Sequence, residues 1–528
     1  MYDLLIKDGL IIDGTDSSPY RANIAVNDDK IIEIGDLQGE EAREIIDARG
    51  KNVSPGFIDM HCHDEIELLK HSTIEPKIRQ GVTTIVNGNC GMGFYPLLEK
   101  NRELLLDYNA KLFSLDGVDV NWHNYDEYKK QLNNKGININ AISLMAHGAL
   151  RIAVLGFEER KADAQEMERM KDLLREGVEQ GVYGMSSGLL YPPSSYADKE
   201  EIKELCSVLA EHDLIYATHM RNESDNILHS IKENIEIARE TGVSVEISHL
   251  NVSGKDNWGK SSKILKMLKE ARESGLDISC DQYPYKAGST FLTACLPQWT
   301  LNQGVNVLLE KLKMNKNGIK EKIRAEIKEG IEGWDNIIKS SGWDNIVINS
   351  VKSEKNQELL GKSLEEITKI WDLDYYDTLY KLLLDEEGYV TILIYSVCED
   401  DLFNIFKNDF TMIGTDGIKL GGKPHPRLYG SYPKIISKFI REKGLISLEE
   451  GIKKMTSLPA KKLGLKDRGA LKKGYFADIV IFDYQEIEDL ASYLKPQRFP
   501  AGIEWVIVNG KVAYDGNKLS SLNCGKIL

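Results

Sequence analysis

Residues 55–63 read PGFIDMHCH: a turn pair, a short apolar run, and two histidines separated by one residue. On an extended strand, positions i and i+2 share a face, so His61 and His63 point one way and Cys62 the other. An apolar strand that ends on polar side chains is the signature of a parallel sheet whose chemistry gathers at its C-terminal edge. Working outward, seven more runs of this kind follow: TTIVNGN (83–89), NAISLMAHG (140–148), YGMSSG (183–188), IYATHM (215–220), VEISHL (245–250), DISCDQYPY (277–285) and TMIGTDG (411–417). Amphipathic stretches such as 162–181, 198–212, 223–242 and 261–275 separate several of them, each stopping near a Gly or His. Eight strands alternating with helices close a (β/α)8 barrel.

The first fifty residues follow another grammar. YDLLIKDGLIIDG and ANIAVNDDKIIEIGD alternate apolar and polar positions around Asp-rich turns, and LKKGYFADIVIFD and IEWVIVNGKVAYDG repeat that pattern near the other end. The expected architecture is α/β: a TIM-like barrel over 54–463, and a small β-sandwich built from 1–53 together with 464–528. About 296–390, rich in Lys, Glu and Asn, interrupts the alternation as an insertion after the seventh strand, where added segments act either as lids or as plain surface subdomains. Inside it GWDNII (333–338) is echoed by GWDNIV (342–347). Two copies do not make a repeat architecture.

Composition sets outer limits. A length of 528 residues, 42% hydrophobic and 28% charged, suits a globular enzyme of more than one domain. A formal net charge of -15 argues against nucleic acid as a partner. No apolar run approaches the roughly 18 residues that span a bilayer, and the first residues carry no basic leader, so a cytoplasmic protein is expected. Seven cysteines without a short-range framework point to reduced thiols, one of which could be a ligand. A homo-oligomer is left open.

The residues that close the strands form a coherent set: His61, His63, Cys90, His147, His219, His249 and Asp416. Imidazole, thiolate and carboxylate are the side chains that bind zinc. Singly, each has a plainer explanation, for a lone His is more often a bonded core residue and Asp-Gly a common turn. Four of the ten histidines, His61, His63, His219 and His249, at the ends of apolar strands, together with Cys90 in the glycine-rich turn NGNCGMG, are harder to ascribe to chance. Asp416 suits a general base that takes a proton from metal-activated water and returns it to a leaving nitrogen. His147 is a candidate oxyanion contact, or equally a structural histidine at the end of the third strand.

Several of these stretches carry a family resemblance. SPGFIDMHCHDE, GNCG, HGALR, GMSSGLLYPP, THMRNE, ISHLNVSG with NWGKS, DQYPYKAGST, IGTDG, HPRLYGSYP and GYFADIVIFD resemble, in order and through nearly the whole chain, the signatures of the N-acyl-D-amino-acid deacylases, or D-aminoacylases, of the metal-dependent amidohydrolase superfamily. The resemblance implies zinc-dependent hydrolysis of the amide between an acyl group and a D-amino acid, with a small N-acylated molecule as substrate. It assigns Cys90, His219 and His249 to a tightly held zinc, and His61, His63 and Asp416 to a second, weaker or vacant site. Hydantoinases and dihydroorotases bridge their metals with a modified lysine on the fourth strand. The corresponding GVYGMSSGLLYPP has no lysine, which makes Cys90 the substitute. For the substrate carboxylate the family pattern implies Tyr283, Ser289 and Arg427. It often has Lys where this chain has Asn251, and Arg221 or Lys255 are the cations that would compensate. Two alternatives stand beside this reading. One is an amidohydrolase acting on another amide, such as a hydantoin, dihydropyrimidine or dipeptide. The other is a barrel that has lost catalysis and serves as a binding or scaffold protein, a role at odds with six retained ligands.

Overall fold

The computed structural model describes residues 1–71 and 74–528. Its eight central strands are parallel and run Phe57–Asp59, Val82–Asn87, Asn140–Ser143 continued by Met145–Ala146, Gly184–Gly188, Ile215–His219, Ser244–Ile247, Ile278–Gln282 and Thr411–Ile413. Each pairs with the next. The circuit closes where the Met60 N–H donates to the Ile413 carbonyl at 3.2 Å and Cys62 bridges to Gly417. Nearly every residue of these strands is buried, which is why their sequences read as apolar runs rather than alternations.

The outer helices form for local reasons as well as for burial. Ala164–Glu179 starts at Asp163, whose carboxylate caps the N–H groups of Gln165 and Glu166 while Glu166 reaches back to the Asp163 N–H. Met167, Met170, Leu173 and Leu174 then fall on one stripe against the barrel. At about 1.5–3 kcal/mol for each large apolar side chain removed from water, that stripe outweighs the cap, which is worth about 1 kcal/mol.

Strands from the two ends of the chain build one eight-stranded sheet in which residues 2–35 meet Ile479–Phe482 through Asn52–Pro55. The ladder is continuous. It branches at Tyr2–Ile11, which pairs with Tyr20–Asn27 on one side and with Ala42–Asp47 and Asn52–Pro55 on the other. Leu4, Ile6, Ile24, Ile46, Ile479 and Ile507 share one core inside it.

The insertion after the seventh strand begins earlier and ends later than its composition suggests. Ala287–Phe291 pairs antiparallel with Val390–Tyr395, which pairs with Ile346–Val351, so a three-stranded sheet brackets the helices between. The lysine-rich composition marks only those helices; the bracketing strands are apolar and look like barrel. The insertion is tied to the barrel's loops: Gly254 N–H donates to the Ser396 carbonyl at 3.0 Å, and Glu223 N–H to Asp335 at 2.7 Å. No helix among the described residues is long and apolar enough to cross a membrane.

Candidate active site

Six of the strand-end residues meet at the C-terminal mouth of the barrel. The Cys90 sulfur lies 3.2 Å from His61 Nε2, 3.5 Å from His249 Nε2 and 3.8 Å from His219 Nδ1. Asp416 Oδ1 stands 3.3 Å from His63 Nε2 and 3.7 Å from His61 Nε2. Two triads share the sulfur: His61, His63 and Cys90, and Cys90, His219 and His249. All six residues are buried.

The backbone needed to assemble this set is unusual. Cys90, His249 and Asp416 all sit at positive φ (54°, 34° and 47°), a region that side-chain-bearing residues seldom occupy. Each lies two or three residues past a strand end, where the chain must reverse to aim its side chain across the mouth, and such strain persists only where the surroundings over-determine it. For Cys90 the surroundings are the fourth strand. Ser186 Oγ donates to the Gly88 carbonyl and accepts from the Gly91 N–H at 2.9 Å, clamping the turn. Gly188 has no side chain because a Cβ there would fall 2.0 Å from the Cys90 carbonyl oxygen. The fourth strand thus acts on the site by holding the sulfur in place.

The electrostatics suit a metal centre. Burial disfavours a thiolate, yet His61, His219 and His249 hold the Cys90 thiol well below its usual range. Burial works against Asp416 too, but Arg427, His63 and His61 keep it ionised. Two imidazoles are backed by carboxylates: His249 Nδ1 faces Glu223 at 3.1 Å and His61 Nδ1 faces Asp281 at 3.4 Å. Such backing orients a metal-binding histidine. Donors about 2.0–2.3 Å from one tetrahedral ion lie about 3.3–3.8 Å apart. The sulfur–nitrogen distances of 3.2–3.8 Å therefore fit a divalent ion, with one soft and two borderline donors in the second triad.

A cavity opens from the triads, lined on the barrel side by Leu190, Tyr191, Asn251 and Tyr283 and on the insertion side by Ser289, Asp335, Ile337, Ser340, Ile394 and Ser396. Arg427 lies under the floor: its guanidinium bonds Asp416 Oδ2 at 2.7 Å and stacks 4.7 Å from the Tyr283 ring. His147 and Arg221 are held elsewhere. His147 Nε2 meets Glu201 at 2.9 Å and Nδ1 meets Ser194 at 3.1 Å, while Arg221 is bonded to Glu233 at 3.0 Å; neither lines the cavity, and nor does Lys255. Glu223, Asp281 and Asp335 are site residues that the strand-end rule passes over. Asp281 alone carried a signal, because a carboxylate inside a fully buried strand must be paired.

Comparison with known proteins shows the family. A profile described as "Amidohydrolase family" matches residues 44–330 and 405–514. A D-aminoacylase of Alcaligenes xylosoxydans xylosoxydans is 34% identical over 527 residues, covering 100% of this chain and 97% of that one. Among solved structures, a D-aminoacylase described as defining a novel subset of amidohydrolases superposes with a TM-score of 0.84 at 34% identity, over 100% of this chain and 99% of its own. An N-acyl-D-glutamate deacylase from Bordetella bronchiseptica, complexed with zinc and a phosphonate mimic of the tetrahedral intermediate, does so with a TM-score of 0.84 at 30% identity, again over 100% and 99%. The chain belongs to the amidohydrolase family, in its D-aminoacylase branch, and is a hydrolase of carbon–nitrogen bonds other than peptide bonds.

Proposed function

We propose that this enzyme hydrolyses the amide joining an acyl group to the nitrogen of a D-amino acid, using zinc held by Cys90, His219 and His249, with His61, His63 and Asp416 available to a second, weaker ion. The observation that carries the reading is the shared sulfur, with three imidazole nitrogens around it and a carboxylate across the mouth. Zinc in this position supplies a Lewis acid for the acyl carbonyl and lowers the pKa of water toward neutrality. The rest falls to the protein. Asp416 takes the proton on Oδ1, since Arg427 holds Oδ2, and returns it to the departing nitrogen. Tyr283 and Ser289 line the wall on which the amino-acid part rests. His147, fixed between Glu201 and Ser194, acts as a positioning residue for the Cys90 turn: its neighbour Gly148 donates an N–H to the Gly91 carbonyl at 3.0 Å. Ring opening is the weaker alternative, because the fourth strand offers no lysine to bridge two ions and spends Ser186 on the Cys90 turn instead.

The test is metal analysis and hydrolysis on one purified sample, with N-acetyl-D-amino acids and their amides, the L-enantiomers, and hydantoins. Release of amine from the D-compounds by protein carrying about one zinc is expected. Activity confined to the hydantoins or to L-compounds would overturn the reading.

A further inference from the structure

Among the described residues, no Lys or Arg lines the cavity. The lining carries instead the carboxylates of Glu223, which backs His249, and of Asp335, the amide of Asn251 and a set of hydroxyls including Ser253, Ser289 and Ser340. The nearest guanidinium, Arg427, is already neutralised by Asp416 at 2.7 Å, and that of Arg221 by Glu233 at 3.0 Å.

Asn251 is the most informative of these. Its Nδ2 donates to the His249 carbonyl at 2.9 Å, which fixes the orientation of the amide because a carbonyl can only accept. Oδ1 is left buried and without a partner at the cavity wall. An unmet buried acceptor is a cost that a bound N–H relieves and a bound carboxylate does not. Asp335 adds to this. It accepts from Ser224 Oγ and from the Glu223 N–H at 2.7 Å, and it presents negative character to the same space. Hydroxyls can serve either sign of partner but cannot neutralise a charge.

On the function proposed above, the ion-binding side faces the scissile amide, so the remainder of the substrate must be held by this acceptor-rich wall. We propose that the natural substrate has no free α-carboxylate: the enzyme takes N-acyl-D-residues whose carboxyl group is already condensed as an amide, as in a carboxamide or a peptide-linked D-residue, with the amide N–H donated to Asn251 Oδ1. Water adds to the acyl carbon, the acyl C–N bond breaks, and the proton goes to the nitrogen of the released D-residue amide.

The experiment compares kcat/KM of the zinc-loaded enzyme for N-acetyl-D-leucinamide and N-acetyl-D-leucine, with products identified by mass spectrometry. At least a tenfold preference for the amide is expected, with acetate and D-leucinamide as products, and Asn251→Lys should move the ratio at least tenfold toward the acid, mainly through KM. Equal rates, or a preference for the acid, would overturn this inference while leaving the deacylase reading intact. Release of ammonia rather than acetate would overturn it as well. If neither compound lost its acetyl group, the deacylase reading itself would fall and this inference with it. Should Asn251→Lys not fold, the ratio measured on the unaltered enzyme decides alone.

Discussion

Replacing Asp416 by Asn separates two roles that the structure places on one carboxylate. Oδ1 faces His63 at 3.3 Å and carries the proposed proton, whereas Oδ2 bonds Arg427 at 2.7 Å. An amide cannot shuttle a proton at neutral pH, so kcat should fall about 10²–10⁴-fold, equivalent to about 3–5 kcal/mol of barrier. Stability should fall for a separate reason. Arg427 is 1% exposed, and its remaining contacts are the Tyr283 ring and the Ser289 carbonyl at 3.5 Å. A guanidinium stranded in that position costs about 3–5 kcal/mol, the usual penalty for breaking a buried pair from one side. Zinc should stay, because Cys90, His219 and His249 are untouched. Urea unfolding followed by tryptophan fluorescence, metal content and steady-state rates separate the effects. Adding Arg427→Met to Asp416→Asn should recover most of the lost stability and none of the activity. The reasoning is refuted if Asp416→Asn keeps more than a tenth of kcat, or if the double variant is no more stable than the single one.

Four further outcomes follow from the same geometry. Cys90→Ala should abolish both zinc retention after dialysis and turnover; a protein keeping both would remove the sulfur from the ligand set. Gly188→Ala drives a Cβ to 2.0 Å from the Cys90 carbonyl, so it should shift the turn, cost about 1–3 kcal/mol of stability and weaken zinc binding at least tenfold by competition with a chelator. His147→Gln should lower stability by about 1–3 kcal/mol through the lost contacts to Glu201 and Ser194, yet hold kcat within tenfold once zinc is saturating. Lys454, buried against the carbonyls of Asn408 and Thr411, is pushed by burial down to about 8 from 10.5. Between those values the folded state binds fewer protons than the unfolded, so stability must rise with pH; relative to Lys454→Met, the unaltered enzyme should gain about 3 kcal/mol from pH 7 to 10.5, and a flat difference would contradict the assignment.

The barrel was legible because a parallel sheet covered on both faces writes itself as apolar runs, and because each run that ends on a ligand type exposes that residue at the mouth. His61, His63, Cys90, His219, His249 and Asp416 all came from that single rule, and the structure brings all six together. The rule states where a residue sits and not where its side chain is drawn. His147 obeys it in sequence, yet Glu201, 54 positions along the chain, turns it outward. Glu223 and Asp335 disobey it and still face the cavity, because one follows the fifth strand in a loop and the other arrives on the insertion.

The paired hexapeptides in that insertion show why local sequence runs out there. GWDN occurs twice with the same four side chains. In the first copy Trp334, Asp335 and Asn336 are buried; Asp335 takes two donors from the loop after the fifth strand, and Asn336 caps Ile337–Ser341. In the second, Trp343 stacks on Tyr375 at 5.1 Å, Asp344 is exposed, and the chain passes directly into the strand Ile346–Val351. Nothing within the four shared residues distinguishes the two fates. What distinguishes them is the partner each copy meets across the fold: barrel loops for the first, the insertion's own sheet for the second. The acidity of the cavity wall, and with it the class of substrate that can lie there, is therefore set by a tertiary contact. A substitution at Ser224 that released Asp335 should alter substrate preference without touching any metal ligand.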